Sequence, residues 1–235
     1  MEHSDEQVES SGVTFFAWAD THFGYEPRFG PDDHRWRAVQ QMNWLAGMPY
    51  PPELAGAVEE PHCILSCGDF VNGSGDGARN LARYLHVMRR ISVPVLEALG
   101  NHDTPHPEVV DYVRSRRGGT HYSTDVGGVH FLALCQSFDE NEQVEALDER
   151  QLDWLAADLD AVPAGSPIVI FAHDRPSKQP NAESIREAIS DSDVVLILSG
   201  HTHGKRLPDG TGPHGLHHCM WEGIPGAVVG HVRDH

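Results

Sequence analysis

Five short apolar segments of the chain end in residues whose side chains can bind a metal ion. Each segment is short enough for a buried strand, too short for a helix, and stops at glycine or a polar residue. Taken singly, such an ending is more often a turn or an ordinary buried histidine than a ligand, but five in one chain indicate a metal site. The endings are Asp20-Thr21-His22, Gly68-Asp69, Gly100-Asn101-His102-Asp103, His173 and Gly200-His201-Thr202-His203.

These apolar segments alternate with stretches of helical spacing, which predicts parallel crossovers and a layered α/β fold. Because ligands of open α/β sheets bind where the carboxyl ends of the strands meet, we expect the five endings to converge. The predicted strands cover Thr14–Asp20, Ile64–Asp69, Val95–Asn101, Ile168–His173, Val194–His201 and Gly226–Val229, with a hairpin over residues 120–135. The predicted helices contain Trp36–Leu45, Ala78–Met88, Leu152–Leu159 behind an Asp148 N-cap, and Ile185–Ile189.

Length and composition predict one soluble domain. Of the 235 residues, 39% are hydrophobic and 22% charged, and we expect a single domain over residues 12–235 behind a disordered polar tail, residues 1–11. No apolar run approaches the roughly 20 residues that span a bilayer, and residues 1–11 do not read as a secretory signal. The four cysteines show neither zinc-ribbon nor disulfide spacing, so we expect free thiols and a cytoplasmic location.

The net charge of the chain indicates which kinds of molecule it can bind. With 17 basic and 35 acidic residues, the net charge is −18, which disfavours binding to nucleic acid. An anionic substrate would therefore need a local positive charge, and a bound metal is the natural source.

The order of the five endings resembles the signature of the calcineurin-like metallophosphoesterases, from Asp20 to His203. The resemblance implies a four-layer αββα sandwich of two mixed β-sheets flanked by helices. It also implies how the ligands divide between two metal ions. Asp20, His22 and His203 would hold one metal, Asn101, His173 and His201 the other, and Asp69 would bridge them.

The donor types suit that chemistry. Mixed nitrogen and oxygen ligands favour Mn, Fe, Zn, Co or Ni over Mg or Ca. Two such ions, about 3.5–4 Å apart, activate a bridging water and clamp the oxygens of a phosphoryl displacement. The expected substrate is a small phosphoester, and by resemblance His102 faces it as the general acid, while Asp103 orients the loop.

Two departures from the motifs of known branches indicate which branch of the family the chain resembles most. Protein Ser/Thr phosphatases of this superfamily carry Gly-Asp-x-x-Asp-Arg at the second motif, whereas this chain has Asn72 and Gly73 at the last two positions. The tyrosine ligand of purple acid phosphatases is also absent at position 72. The chain therefore looks most similar to the bacterial cyclic-nucleotide phosphodiesterase-like branch. Candidate substrate contacts are Asn72, His34 and Arg175, while Trp18, Trp36, Trp44 and Trp154 are expected to pack in the interior.

Three classes of function stay open at this point: a phosphoesterase of small substrates, a nuclease and a non-catalytic scaffold. A phosphodiesterase is favoured over a phosphomonoesterase because the arginine of the second motif is missing. A nuclease of the same superfamily is opposed by the acidic charge. A non-catalytic scaffold also uses this fold in the retromer scaffolding subunit, but that protein lacks the histidine that this chain keeps as His102.

Overall fold

The computed structural model describes residues 12–25, 34–50, 56–202, 217–220 and 228–233, the last two segments as backbone. Their strands form two sheets. The first sheet has the order β3-β2-β1-β9, in which β1 to β3 are parallel and β9 runs antiparallel to β1. Its strands are β1 (Gly12–Trp18), β2 (Cys63–Cys67), β3 (Val95–Ala98) and β9 (Val228–Arg233).

The second sheet has the order β4-β5-β6-β7-β8. The strands β4 and β5 form the predicted antiparallel hairpin, and β5 to β8 are parallel to one another. The bounds are β4 (Tyr122–Val126), β5 (Val129–Ala133), β6 (Ile168–Phe171), β7 (Val194–Ser199) and β8 (His217–Met220).

Helices cover the outer faces of both sheets, which confirms the four-layer sandwich. Side chains of the first three helices join the core of the first sheet, and those of the last two join the second. The sheets meet through contacts such as that of Phe15 with Phe131, whose ring centroids are 5.5 Å apart. The helices are α1 (His34–Leu45), α2 (Gly77–Met88), α3 (Pro107–Arg117), α4 (Glu149–Ala161) and α5 (Ala182–Ala188), with a 3₁₀ turn at Pro176–Lys178.

Local signals in the sequence explain several of these elements. Asp148 caps α4 by accepting a hydrogen bond from the backbone N–H of Gln151, as predicted. The β4–β5 hairpin is tied to α4 by His130, whose two ring nitrogens lie 2.7 Å from Asp125 Oδ1 and 2.8 Å from Asp158 Oδ2.

The structure corrects one packing prediction and extends others. Trp18 is buried in the core as expected, but Trp44 is 69% exposed because it lies on the outer face of α1. The helix α3 and the strand β8 were not predicted. The final strand is described over Val228–Arg233, and the first two residues of its predicted range, 226–227, lie outside the described residues, as does the predicted tail 1–11.

Cys63, Cys67 and Cys135 form no disulfide in the described part of the chain, where Cys63 and Cys67 are buried and Cys135 is half-buried. Burial raises the pKa of Cys63 to about 12, so this thiol is unreactive at neutral pH. In the described part of the chain, no helix has both the length and the apolar character to cross a membrane.

Candidate metal centre

The carboxyl ends of strands from both sheets meet at one place. Asp20, Asp69 and Asn101 follow β1, β2 and β3 of the first sheet, while His173 and His201 follow β6 and β7 of the second. Backbone hydrogen bonds join the loops within each sheet, from Asp20 N to the carbonyl of Gly68 (3.0 Å) and from Gly200 N to that of His173 (2.8 Å). The convergence predicted from the sequence is therefore present for these five residues.

The backbone at this place is strained. Among the described residues, five that are not glycine have a positive φ, a region that L-amino acids rarely occupy. Four of them are predicted metal ligands, and the fifth is Glu142. Such conformations persist where the surrounding structure enforces them, and they concentrate at functional sites. The five are Asp20 (φ 54°), His22 (43°), Asp69 (52°), Glu142 (60°) and His201 (71°).

Three predicted ligand atoms lie close to a fourth, His173 Nε2. This nitrogen is 3.1 Å from Asp69 Oδ2, 2.9 Å from Asn101 Oδ1 and 3.1 Å from His201 Nδ1. The side chains of Asp69 and His173 are almost fully buried, and Asn101 and His201 are half-buried. Two imidazole nitrogens and two oxygens gathered in this way are donors that suit a transition-metal ion.

The outer nitrogens of both imidazoles are held by backbone carbonyls. His173 Nδ1 lies 3.0 Å from the carbonyl of Cys67, and His201 Nε2 lies 3.0 Å from the carbonyl of Glu142. A carbonyl only accepts, so each outer nitrogen carries a proton. Metal-binding histidines are oriented in this way, with the inner nitrogen left for the ion.

The electrostatics of the cluster also favour a central positive charge. Burial opposes ionisation of Asp69, but the imidazoles of His173, His102 and His22 outweigh it and lower the pKa of this carboxyl to about 2. Burial likewise disfavours the charged form of His173, yet the Asp69 carboxylate raises the pKa of His173 to about 9. The buried carboxylate is thus stabilised by positive charge at its neighbours, and a metal ion supplies such charge.

A second group of donors shares Asp69 with the first. His22, Asp69 and His102 each place one ligand atom within 4.8 Å of the others. His22 Nε2 is 3.9 Å from Asp69 Oδ2, and both oxygens of Asp20 accept from the backbone N–H of His201. His203, the remaining ligand predicted for this side, lies outside the described residues.

His102 is fixed by its neighbours on the second and third motifs. Its Nδ1 accepts a hydrogen bond from Gly73 N (3.1 Å), and its backbone N–H donates to Asp69 Oδ1 (2.8 Å). In the neutral imidazole, the proton is therefore on Nε2. The amide of Asn72 donates to Ser74 rather than to His102, so the backbone N–H of Gly73, and not the side chain at position 72, contacts the ring.

Asp103 orients the loops, as expected from the sequence. Its carboxylate is fully buried and accepts from the backbone N–H groups of Val71 and Gly100, both 2.9 Å away. These bonds tie the second motif to the third.

Sequence reasoning missed the loop between β5 and α4, which reaches the centre. Residues 137–145 form a tight hairpin in which Asp139 Oδ1 accepts from the N–H groups of Asn141 and Gln143. The ring of Phe138 packs against His173 and His201, with centroids 5.6 Å and 5.3 Å apart. The Asp139-x-Asn141 pattern signals a turn, but nothing in the sequence signals where that turn lies.

The structure describes two of the three predicted substrate contacts. Asn72 is buried, and its side-chain amide donates to Ser74. Arg175 is half-buried, and its Nε is buried with no hydrogen-bond partner in the described part of the chain. The side chain of His34 lies outside the described residues. Arg35, its neighbour, is buried and donates to the carbonyls of Thr21 and His22, so it supports the first motif.

Comparison with known proteins agrees with this fold. The chain belongs to the calcineurin-like phosphoesterase family, whose model matches residues 13–205. It is 27% identical over 170 residues to the serine/threonine-protein phosphatase CPPED1 of Pongo abelii, and 26% to that of Homo sapiens. Each alignment covers 61% of this chain and 54% of the relative, so the chain spans about half the length of the curated relatives it matches.

Solved structures share the fold at low sequence identity. A dimetal phosphatase from Danio rerio has a TM-score of 0.66 at 16% identity, covering 90% of this chain and 87% of that one. A phosphopantetheinyl hydrolase from Mycobacterium tuberculosis has a TM-score of 0.51 at 12% identity, covering 91% of both chains.

Proposed function

We propose that this protein hydrolyses a phosphoester with two metal ions held between its sheets. The observation that carries the proposal is the arrangement around His173 Nε2, where four donor atoms are gathered and both imidazoles are oriented by backbone carbonyls. In this proposal Asn101, His173 and His201 hold one ion, and Asp69 bridges to the second. The second ion is held by Asp20, His22 and His203.

The protein side chains set the charge of the centre. The ions, when bound, would activate a water and polarise the phosphoester oxygens. The carboxylate of Asp69 offsets the repulsion between two cations, while Asn101 contributes a neutral oxygen and leaves net positive charge for the phosphate. A local positive site of this kind admits an anionic substrate despite a net charge of −18.

His102 acts on the substrate side. Its Nδ1 accepts from Gly73 N–H, so the Nε2–H can donate a hydrogen bond to the leaving-group oxygen as charge develops there. Complete transfer of the proton requires the imidazolium form, in which Nδ1 is also protonated and gives up the bond from Gly73. Nε2 lies 4.0 Å from Asp69 Oδ2, so it is close to the centre without a hydrogen bond to the bridging carboxylate. Asp103 keeps this geometry by tying the two motifs together.

The finer proposal is a small phosphodiester as substrate. Gly73 stands where the protein phosphatases of the superfamily have an arginine for a terminal phosphate, and its N–H is used by His102. The phosphatases and the phosphopantetheinyl hydrolase among the similar proteins support a phosphoester in general. A diester carries one negative charge fewer than a monoester dianion and depends less on that arginine.

Reloading of the metal-stripped protein tests the proposal. Mn, Fe, Zn, Co and Ni would each be added, and hydrolysis of bis-p-nitrophenyl phosphate compared with that of p-nitrophenyl phosphate. We expect hydrolysis only with metal, and a higher kcat/KM on the diester. Absence of hydrolysis with every metal would contradict the proposed function, whereas preference for the monoester would overturn only the finer proposal.

The role of His102 has its own test, the variant His102→Ala. The turnover of an alkyl phosphodiester should fall by about 10²-fold or more, since a poor leaving group needs the proton. A nitrophenyl ester, whose leaving group departs unaided, should lose much less, and the metal content should be unchanged. His62→Ala is the control, because His62 is exposed at the opposite end of β2. Loss of metal in His102→Ala would make His102 a ligand instead, and equal losses on both esters would remove the proton-donor role.

A further inference from the structure

Glu142 lies beside the candidate metal centre in space, although it is distant in sequence from every motif. It shares the positive φ of four predicted metal ligands, and it is the only residue of that set that is not itself a predicted ligand. Its backbone carbonyl accepts the hydrogen bond from His201 Nε2 at 3.0 Å. The position of its main chain is therefore fixed relative to the metal ligands.

The hairpin 137–145 keeps Glu142 in this place. Glu142 N donates to the carbonyl of Asp139 (3.0 Å), Asp139 N donates to that of Gln143 (2.9 Å), and Glu145 N donates to that of Ser137 (2.9 Å). Together with the packing of Phe138, these bonds make the hairpin a defined wall of the site rather than a loose loop.

The carboxylate of Glu142 faces the substrate side of the centre. Its Oε1 lies 3.8 Å from His102 Nε2, which is too long for a hydrogen bond and leaves both groups available to a ligand. The side chain of Glu142 is 64% exposed, whereas that of Asp69 is 2% exposed. Glu142 is thus an accessible negative charge beside the group proposed to contact the leaving oxygen.

We propose that Glu142 determines specificity by binding a cationic group of the substrate, so that the preferred phosphoester carries an ammonium group close to its phosphorus. This inference rests on the proposed function, and it names the class of substrate for the same site. A carboxylate here repels a second phosphate or carboxylate of the substrate and attracts an ammonium. The metal centre takes the phosphate, and Glu142 selects what is attached to it.

Two diesters with one leaving group test this inference on the Mn-loaded protein. p-Nitrophenyl phosphorylcholine and p-nitrophenyl ethyl phosphate differ in one positive charge. The wild type should prefer the choline diester, and Glu142→Gln should lower the ratio of the two kcat/KM values by about two- to fivefold, the range of an exposed ion pair. Added salt should weaken the wild-type preference. Glu140→Gln removes the same charge from an exposed position of the same hairpin and should leave the ratio unchanged.

An unchanged ratio in Glu142→Gln, at full metal content, would overturn the inference, as would an equal change in Glu140→Gln. If neither diester were hydrolysed by the metal-loaded wild type, the proposed diesterase activity would be wrong, and calorimetry would decide the role of Glu142 separately. The wild type should then bind phosphocholine more tightly than ethyl phosphate, and Glu142→Gln should remove that difference. Equal affinities in the wild type would overturn the inference.

Discussion

At the scale of the residue, metal binding at the centre depends on which atom of each side chain can act as a ligand. The carbonyls of Cys67 and Glu142 occupy the outer nitrogens of His173 and His201, so only the inner nitrogens can bind a metal. Asp69 differs from the other ligands because its carboxylate lies in both donor groups, that of His22 and His102 and that of His173 and His201.

The shared position of Asp69 leads to a prediction on metal content. Asp69→Ala should lose both ions, because each site loses a ligand and the two cations lose the charge between them. His22→Ala should lose mainly one ion. Metal analysis of the purified variants, with their melting temperatures as a check on folding, measures this. Two ions per chain in folded Asp69→Ala would contradict the ligand assignment.

The residues within the motifs could be identified from the sequence. Residues of other segments that contact the motifs in the folded chain could not. Asp103 was expected to orient its loop rather than to act on the substrate, and it accepts hydrogen bonds from the backbone of Val71 and Gly100. Glu142 carries no such signal. An acidic residue in a polar loop looks like any solvated residue until the tertiary structure places it beside His102.

At the scale of the element, the hairpin 137–145 supports the ion that His173 and His201 are proposed to hold. Phe138→Ala removes the ring that packs on both imidazoles, so the affinity for that ion should fall about tenfold, within the range for residues that orient ligands. Competition with a chelator measures the affinity, and the ion near His22 should be retained. Val144→Ala, opposite Phe138 in the hairpin, is the control.

An unchanged affinity of Phe138→Ala would show that the hairpin does not support the metal site. Loss of both ions together would contradict the division of the ligands between two separate metal sites.

The elements differed in how much their sequences revealed. The buried strands were predicted because apolar, β-branched runs are conspicuous, and α4 because of its Asp148 cap. The helix α3 was missed because only Val109 and Val113 are buried on it, which leaves little periodicity. Its ends did carry signals, a proline in the first turn and Gly118 in a left-handed conformation after the last. Trp44 was assigned to packing because helical spacing does not show which face of α1 is covered.

At the scale of the whole molecule, the metal centre joins the two sheets. The first sheet supplies Asp20, Asp69 and Asn101, and the second supplies His173 and His201. Ions bound at this place would stabilise the contact between the sheets, and their removal would leave the buried carboxylates of Asp20 and Asp69 with less positive charge nearby.

Removal of metal should therefore lower the melting temperature. A ligand at a hundredfold its Kd contributes about 2.7 kcal/mol to stability, and each kcal/mol shifts the Tm of a domain of this size by about 2–4 °C. We expect chelation to lower Tm by about 5–10 °C and reloading to restore it. An unchanged Tm after verified chelation would contradict the occupation of the site.

The central claim is that catalysis requires two ions in this centre, and stepwise titration of the metal-free protein measures it most directly. Mn²⁺ would be added in fractions of an equivalent while bound metal and hydrolysis of bis-p-nitrophenyl phosphate are followed on the same sample. The account predicts that activity stays low through the first equivalent bound and reaches its plateau at the second. Full activity with one ion bound, or no activity with two, would contradict it.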